Sequence, residues 1–257
     1  MEPRKMLVAY SLKYGGDFNK ILRAATAMEP IEDCYEELVD SLKCQTLTLA
    51  DPNYPEHLKN SFKPPIVLYY YGDISLIYNY KMSVSVVGSR ECSEYGAEMT
   101  KEIVSGLAKN NYVIISGLAR GIDGIAHKSA IEAGGKTVAV LGCGIDYCYP
   151  SENQYLYDEI KKNHLLLSEY PGDMQPFPGL FPIRNRIIAG LCKGLVVTEA
   201  GQLSGSGITA TLALNSNRDV MCVPYLAGIK SQCNRLIAHG AALVESAEDV
   251  MEEMKTF

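Results

Sequence analysis

Along residues 1–45 the apolar positions recur at three- and four-residue spacing, the period of a helix with one buried face. Met6-Leu7-Val8-Ala9-Tyr10, the stretch from Phe18 to Met28 and the stretch from Ile31 to Leu42 predict three short helices. Gly15-Gly16 separates the first two, and Pro30 opens the third at a position helices tolerate. Residues 46–82 break this period. Pro55, Pro64 and Pro65 fall here, so the segment reads as a connector, with Val67-Leu68-Tyr69-Tyr70-Tyr71 as a lead-in strand.

From residue 83 to residue 257 the pattern changes again. Short β-branched apolar runs at 84–87, 113–115, 138–141, 165–167, 195–198 and 220–223 alternate with helical patterns at 94–109, 124–133, 152–162, 184–192 and 206–215. Runs that are apolar on both faces and separated by helices predict a parallel sheet covered on both sides. The fold class is therefore α/β, a doubly wound mostly parallel sheet preceded by a small N-terminal helical segment. Ligands of such sheets bind at the carboxyl ends of the strands. Three units follow: helical residues 1–45, the connector 46–82 and the core 83–257. Ser93 and Asp123 are expected to cap helices, Gly134-Gly135 to end one, Ser151-Glu152-Asn153-Gln154 to form a capping box, and residues 246–254 to make a closing helix.

Composition narrows the function. The chain has 257 residues, 47% hydrophobic and 21% charged, an ordinary globular balance. A formal net charge of -6 argues against a protein that coats nucleic acid with its whole surface, but 24 Lys and Arg residues leave room for a local basic groove. Eight cysteines without a CxxC pair give no support to zinc ribbons or thioredoxin-like chemistry and read as reduced thiols of a cytoplasmic protein. No apolar stretch approaches the ~20 residues that span a bilayer, so no membrane partner is expected. Neither a cofactor nor a metal is expected.

The candidate chemistry lies at the strand ends. Gly88-Ser89-Arg90 follows the first core strand, where glycine lets a backbone approach a phosphate. The next glycine is Gly96, too late for a G-x-G-x-x-G dinucleotide turn. The second strand leads into Gly117, Arg120 and Gly121, the same design again. Asp123 could be a base but reads better as an N-cap, and His127 as a packing residue. Cys143 has no basic neighbour to activate it and reads as a buried thiol. Pro182 starts a helix whose first turns hold Arg184, Asn185 and Arg186, where cations oppose the dipole. An anionic ligand accounts for the two arginines; a solvated basic turn is the alternative. Ser204 and Ser206 open a further helix, and Asn234-Arg235 open the last. Several phosphate-friendly loops along one edge describe an extended anion better than a small one.

These segments together resemble the DNA-processing protein A (DprA/Smf) family. The motifs, in order, are VVGSR (86–90), SGLARGID (116–123), LGCGIDYCYP with Asn153 (141–153), LSEYPG (167–172), FPIRNRIIAGL (181–191), SGSGITA (204–210) and CNRLIAHGA (233–241), with a lead-in at 51–73. The resemblance implies an extended Rossmann-like fold, single-stranded DNA binding, self-association into a homodimer, and delivery of the strand to the RecA recombinase in recombination and natural transformation. It also implies a phosphate pocket at Gly88, Ser89 and Arg90, a basic groove extended by Arg184 and Arg186, and Arg120, Asn234 and Arg235 at its edge. Phe177 and Tyr149 are candidates for base stacking, since the chain has no Trp. The chain departs from the family pattern at Tyr225, which replaces a glycine after Val223-Pro224, at Gly207, where a larger apolar residue is usual, and at 176–180, which lacks a basic residue.

Two other readings compete. The core also resembles nucleotide phosphoribohydrolases, which would make the chain a nucleotide sensor or an enzyme. Their glutamate after a glycine-rich loop has no counterpart here; Glu199 precedes the loop and Glu169 lies in another. The acidic balance also suits a scaffold that binds only protein.

Overall fold

The computed structural model describes residues 2–201 and 204–255. Among these residues nine strands form one sheet: β1 (Gln45–Thr48), β2 (Val67–Gly72), β3 (Ser83–Gly88), β4 (Val113–Ser116), β5 (Lys136–Gly144), β6 (Leu165–Tyr170), β7 (Gly194–Glu199), β8 (Asp219–Cys222) and β9 (Ala242–Leu243). Their order is β1-β2-β6-β5-β4-β3-β7-β8-β9. The seven strands from β6 to β9 pair in parallel; β2 runs antiparallel to β6, and β1 antiparallel to β2. This is the doubly wound, mostly parallel α/β sheet that the alternation of runs predicts. β1, with Leu47 its single apolar residue, and β9, of two residues, leave no run in the hydrophobic pattern; each is a sheet edge held by a single neighbour.

The side-chain period of two sorts the strands between two apolar layers. Val87, Ile115, Val138, Val140, Leu195 and Val197 face one layer, packed under α8 (Leu180–Leu191) and α9 (Gly205–Asn215). Val84, Val86, Ile114 and Val196 face the other, under α5 (Glu94–Lys109), α6 (Ile122–Glu132) and α11 (Ala247–Glu253). On that second side Ala139, Leu141 and Leu166 continue the layer beneath α7 (Gln154–Asn163) and two N-terminal helices, α1 (Pro3–Tyr14) and α2 (Phe18–Ala27). The N-terminal helices are thus seated on the sheet by Val8, Tyr10 and Ile21. No helix among the described residues is long and apolar enough to cross a membrane.

The chain runs outward from β3 through β4 and β5 to β6, then returns through α8 to lay β7 on the other side of β3. The order reverses between β3 and β7. A crevice outside the carboxyl ends of those two strands is the topological place for a ligand.

Local expectations met the structure unevenly. Ser93 caps α5, its Oγ accepting from the Gly96 amide at 3.1 Å, and Gly134 ends α6 at φ 76°. Pro30 does not open the third helix. That helix, α3 (Asp33–Asp40), starts after Glu32, because Met28 turns left-handed and closes α2. Asp123 does not cap α6. Gly121, at φ 68°, occupies that place, and Asp123 lies two residues on, in the first turn of the helix, buried. Ser151 makes no capping box; Ser151–Asn153 form a 3₁₀ turn, and Asn153 Nδ2 instead donates to the carbonyls of Leu118 (3.0 Å) and Ala119 (3.1 Å).

His127 shows how dry the core is. Its Nδ1 lies 2.7 Å from Thr137 Oγ1, whose own proton goes to the Ile114 carbonyl, so Nδ1 is the donor in that pair. Burial holds its pKa down from 6.5 to about 3. A folded-state pKa below the unfolded one gives stability that is complete above pH 6.5 and lost as pH falls toward 3. His127→Gln is therefore expected to flatten the pH dependence of stability below pH 6.5. The lost slope approaches about 1.4 kcal/mol per pH unit, measured by urea unfolding across that range.

Candidate nucleic-acid interface

A cavity of about 560 Å³ opens at the β3–β7 switch. Gly88, Ser89, Arg90, Phe181, Arg184 and Ser206 are among the residues that line it. The loop after β3 is clamped from both sides. The Ser89 amide donates to the Glu199 carbonyl (2.9 Å), the Ile122 amide donates to the Ser89 carbonyl (3.1 Å), and Ser89 Oγ donates to the Glu91 carbonyl (2.8 Å). Gly121 packs against the carbonyls of Ser89 and Arg90, where its positive φ and missing Cβ are both required. With its backbone held, Arg90 sends an exposed side chain over the ring of Phe181, 5.1 Å from the centroid. Phe181 in turn lies against Tyr149 at 5.6 Å and 36°. A side chamber of about 230 Å³ continues from this stack and includes Arg120, whose exposed guanidinium faces Glu152 at 3.9 Å.

The opposite wall is the start of α9. Ser204, Gly205, Ser206 and Thr209 line the cavity, so the positive end of the helix dipole faces it. Ser204 Oγ donates to Gln232 Oε1 at 3.2 Å. Gln202 and Leu203 of this loop lie outside the described residues.

The arginines of α8 behave differently from Arg90. Arg184 is buried, and Nη1 donates to the carbonyls of Gly117 (2.7 Å) and Val140, while Nε reaches Asn185 Oδ1 (3.2 Å). Asp123 sits beside it, and the two side chains close so tightly over Gly117 that a Cβ there would overlap both. Burial pushes the Asp123 carboxyl above its ordinary range against the pull of Arg184. Arg186 is buried on another side of the helix. It meets Glu169 at 2.5 Å and donates to the carbonyls of Lys63 (2.9 Å) and Ile183 (3.1 Å). The sequence offered no local reason for two arginines here. The structure supplies one: strand ends and loops leave carbonyls without partners, and guanidinium forks satisfy several at once. Arg184 and Asn185 stand in the cavity wall; Arg186 is not brought to it.

Asn234 and Arg235 are also not brought to the cavity. They lie on α10 (Gln232–Ala238), where the Asn234 amide holds both the backbone N–H (2.8 Å) and the carbonyl (2.7 Å) of Tyr225. Arg235 is exposed. The departure at Tyr225 thereby gains a function: its hydroxyl donates to Glu199 Oε2 at 3.1 Å. The same carboxylate accepts from the Ser93 amide (2.9 Å) and hydroxyl (2.7 Å). Glu199 is thus turned into the loop frame and does not line the cavity. The departure at Gly207 makes room for the Gln232 side chain. Cys143 is buried, its thiol pushed up to about 12 by desolvation, and donates to the Tyr147 carbonyl. The sequence reading missed Phe181 as a partner of Arg90; its place directly before Pro182 in the FPIRNR segment was the available signal. Phe177 is exposed but outside the cavity wall.

Known proteins resemble this chain over most of its length. Residues 45–255 match the family model described as DNA recombination-mediator protein A. The chain is 45% identical over 215 residues to the DNA processing protein DprA of Streptococcus pneumoniae, covering 83% of this chain and 75% of that protein. It is 37% identical over 246 residues to that of Bacillus subtilis, covering 91% and 81%. The crystal structure of the S. pneumoniae protein superposes with a TM-score of 0.82 at 37% identity, covering 97% of this chain and 93% of that one. DNA processing protein A of Helicobacter pylori, whose structure concerns its single-stranded DNA binding mode, gives 0.75 at 30% identity, covering 84% and 97%. Matched by that family model from residue 45 to 255 and by relatives 37% and 45% identical over most of both chains, the chain belongs to the DNA recombination-mediator protein A (DprA/Smf) family.

Proposed function

We propose that the chain binds single-stranded DNA across the rim of the β3–β7 cavity, shields it, and delivers it to the RecA recombinase in recombination and natural transformation. The observation that carries the reading is the Arg90–Phe181–Tyr149 stack beside the start of α9. An aromatic face accepts any unpaired base, and a guanidinium over it adds both a cation–π contact and a fork for phosphate. Bases in a duplex present no free face to such a stack, so single strands are favoured. The H. pylori relative's single-stranded DNA binding supports this. The eight cysteines are all free thiols, which fits a cytoplasmic protein.

Homodimer formation and the handover to RecA extend the family likeness. Leu226 and Ile229 in the loop after β8, and Leu243 on β9, are exposed apolar side chains at one end of the sheet, a surface suited to self-association.

Electrostatics sets the magnitude of binding. Arg90 and Arg120 share their rim with Glu91 and Glu152, so the field is local rather than broad. Neutralising two phosphates predicts a log–log salt slope near about -1.4. In an electrophoretic shift with oligo-dT, Arg90→Ala is expected to lose about tenfold or more in affinity, the scale of one stacked, charge-assisted contact, while keeping its melting temperature. Equal affinity of the variant, or a preference for duplex, would remove the reading.

A further inference from the structure

A second cavity of about 560 Å³ lies on the other side of the first turn of α8, between the sheet and the N-terminal helices. Gly15 to Phe18 of the α1–α2 turn form one wall, Phe62 and Lys63 another, and Ile183 and Arg186 of α8 the third. Pro182 lines both this cavity and the one at the β3–β7 switch. Just before this turn Phe177-Pro178-Gly179 is exposed and apolar, and Pro178 stands in the wall of the β3–β7 cavity.

The chemistry of the second cavity matches that of the first. Phe62 is 55% exposed. Lys63 Nζ stands 5.7 Å from the Phe62 ring and 5.9 Å from the Phe18 ring, and Arg186 stands 6.0 Å from Phe18. Aromatic faces are again paired with cations. The acid at its floor, Glu169, is already matched by Arg186, and Asp17 turns its carboxylate back to the Lys20 amide. Lys63 and Lys20 are exposed, so their charge is available to a ligand.

We propose that this cavity is a second base-stacking station for the same DNA strand, reached by crossing the first turn of α8. The inference rests on the single-strand reading of the first cavity. It gives the N-terminal helical segment a part in the path of the strand, through Phe18, and it makes binding depend on oligonucleotide length. The two stations stand on either side of one helix, a span of about 10–12 Å, so a strand too short to cross it engages only the first.

The test is fluorescence anisotropy with a thymidine dinucleotide, whose one backbone step falls short of the breadth of the helix, and with oligo-dT of about 16 nucleotides, the upper end of the usual range of single-strand site sizes. Phe62→Ala removes an exposed ring and is expected to keep the melting temperature. It should bind the short oligomer like the unaltered protein and the long one about tenfold more weakly, with Phe62→Trp restoring the long-oligomer affinity. Lys63→Asn, chosen because Lys63 has φ 47° and Asn tolerates that region, should lower the salt slope by about 0.7 for the long oligomer only. Unchanged affinity of Phe62→Ala at both lengths, or equal weakening at both, would overturn the second station while an Arg90-dependent short-oligomer signal upholds the first. Absence of any Arg90-dependent binding would instead remove the underlying reading.

Discussion

Replacing Arg184 with Ala is expected to cost the protein about 3–5 kcal/mol, a large part of the roughly 5–15 kcal/mol that holds a domain folded. The reason is what remains behind. Asp123 would stay buried without its cation, and the carbonyls of Gly117 and Val140 would lose the donor that reaches them. Arg184→Lys should recover only part of this, because one ammonium cannot meet the two carbonyls that Nη1 holds and also reach Asn185 Oδ1 and the Asp123 carboxylate, as the planar guanidinium does. Urea unfolding of Arg184→Ala, Asp123→Asn and the double variant gives the coupling directly. If the single Arg184 variant unfolds at the same urea concentration as the unaltered protein, the side chain is not the structural bolt described here. The result also bears on function: DNA binding lost in an Arg184 variant would report unfolding, whereas Arg90 can be removed from a loop whose backbone is held by Glu199 and Ile122.

The Glu169–Arg186 pair should behave in the same way when broken and differently when replaced. Each partner is almost fully buried, and each ends in a site built around the other. Arg186→Met alone leaves a carboxylate in an apolar surrounding, a loss of about 3–5 kcal/mol. Glu169→Leu alone strands a guanidinium that still holds the carbonyls of Lys63 and Ile183, a somewhat smaller loss. The double variant, apolar on both sides, is expected to return to within about 1–2 kcal/mol of the original, since burying an ion pair gains little over a packed apolar pair. Thermal unfolding of the three variants decides it; a double variant as unstable as the worse single one would show that the carbonyl contacts, not the charge pair, carry the energy. Short-oligomer binding should survive in the double variant, because neither residue lines the β3–β7 cavity.

How far the sequence reached can be followed at particular residues. The bounds of α5, predicted as 94–109, match the structure because its apolar stripe is regular and Ser93 marks its start. Asp123 was misread as a cap because a carboxylate at a helix start looks the same whether it faces an amide or a buried arginine. Arg186 looked like Arg90 in one dimension. Its partner Glu169 is 17 positions away on β6, and no local pattern joins them. Conversely, Tyr225 appeared as a bare departure from the family pattern, and only its approach to Glu199 showed what it does.

The chain's own order of apolar runs and helical periods determined that it would build a parallel, doubly wound sheet. It also determined that Gly88-Ser89-Arg90 would sit at a strand's carboxyl end, since both follow from periodicity and connection rules that act along the chain. The tertiary structure alone decided which arginines remain free. Unpaired carbonyls at converging strand ends and loops draw in the nearest long donors, and which donors are nearest depends on how distant segments meet. Arg184 and Arg186 were taken into the frame by that competition, and Arg90 was left at the rim.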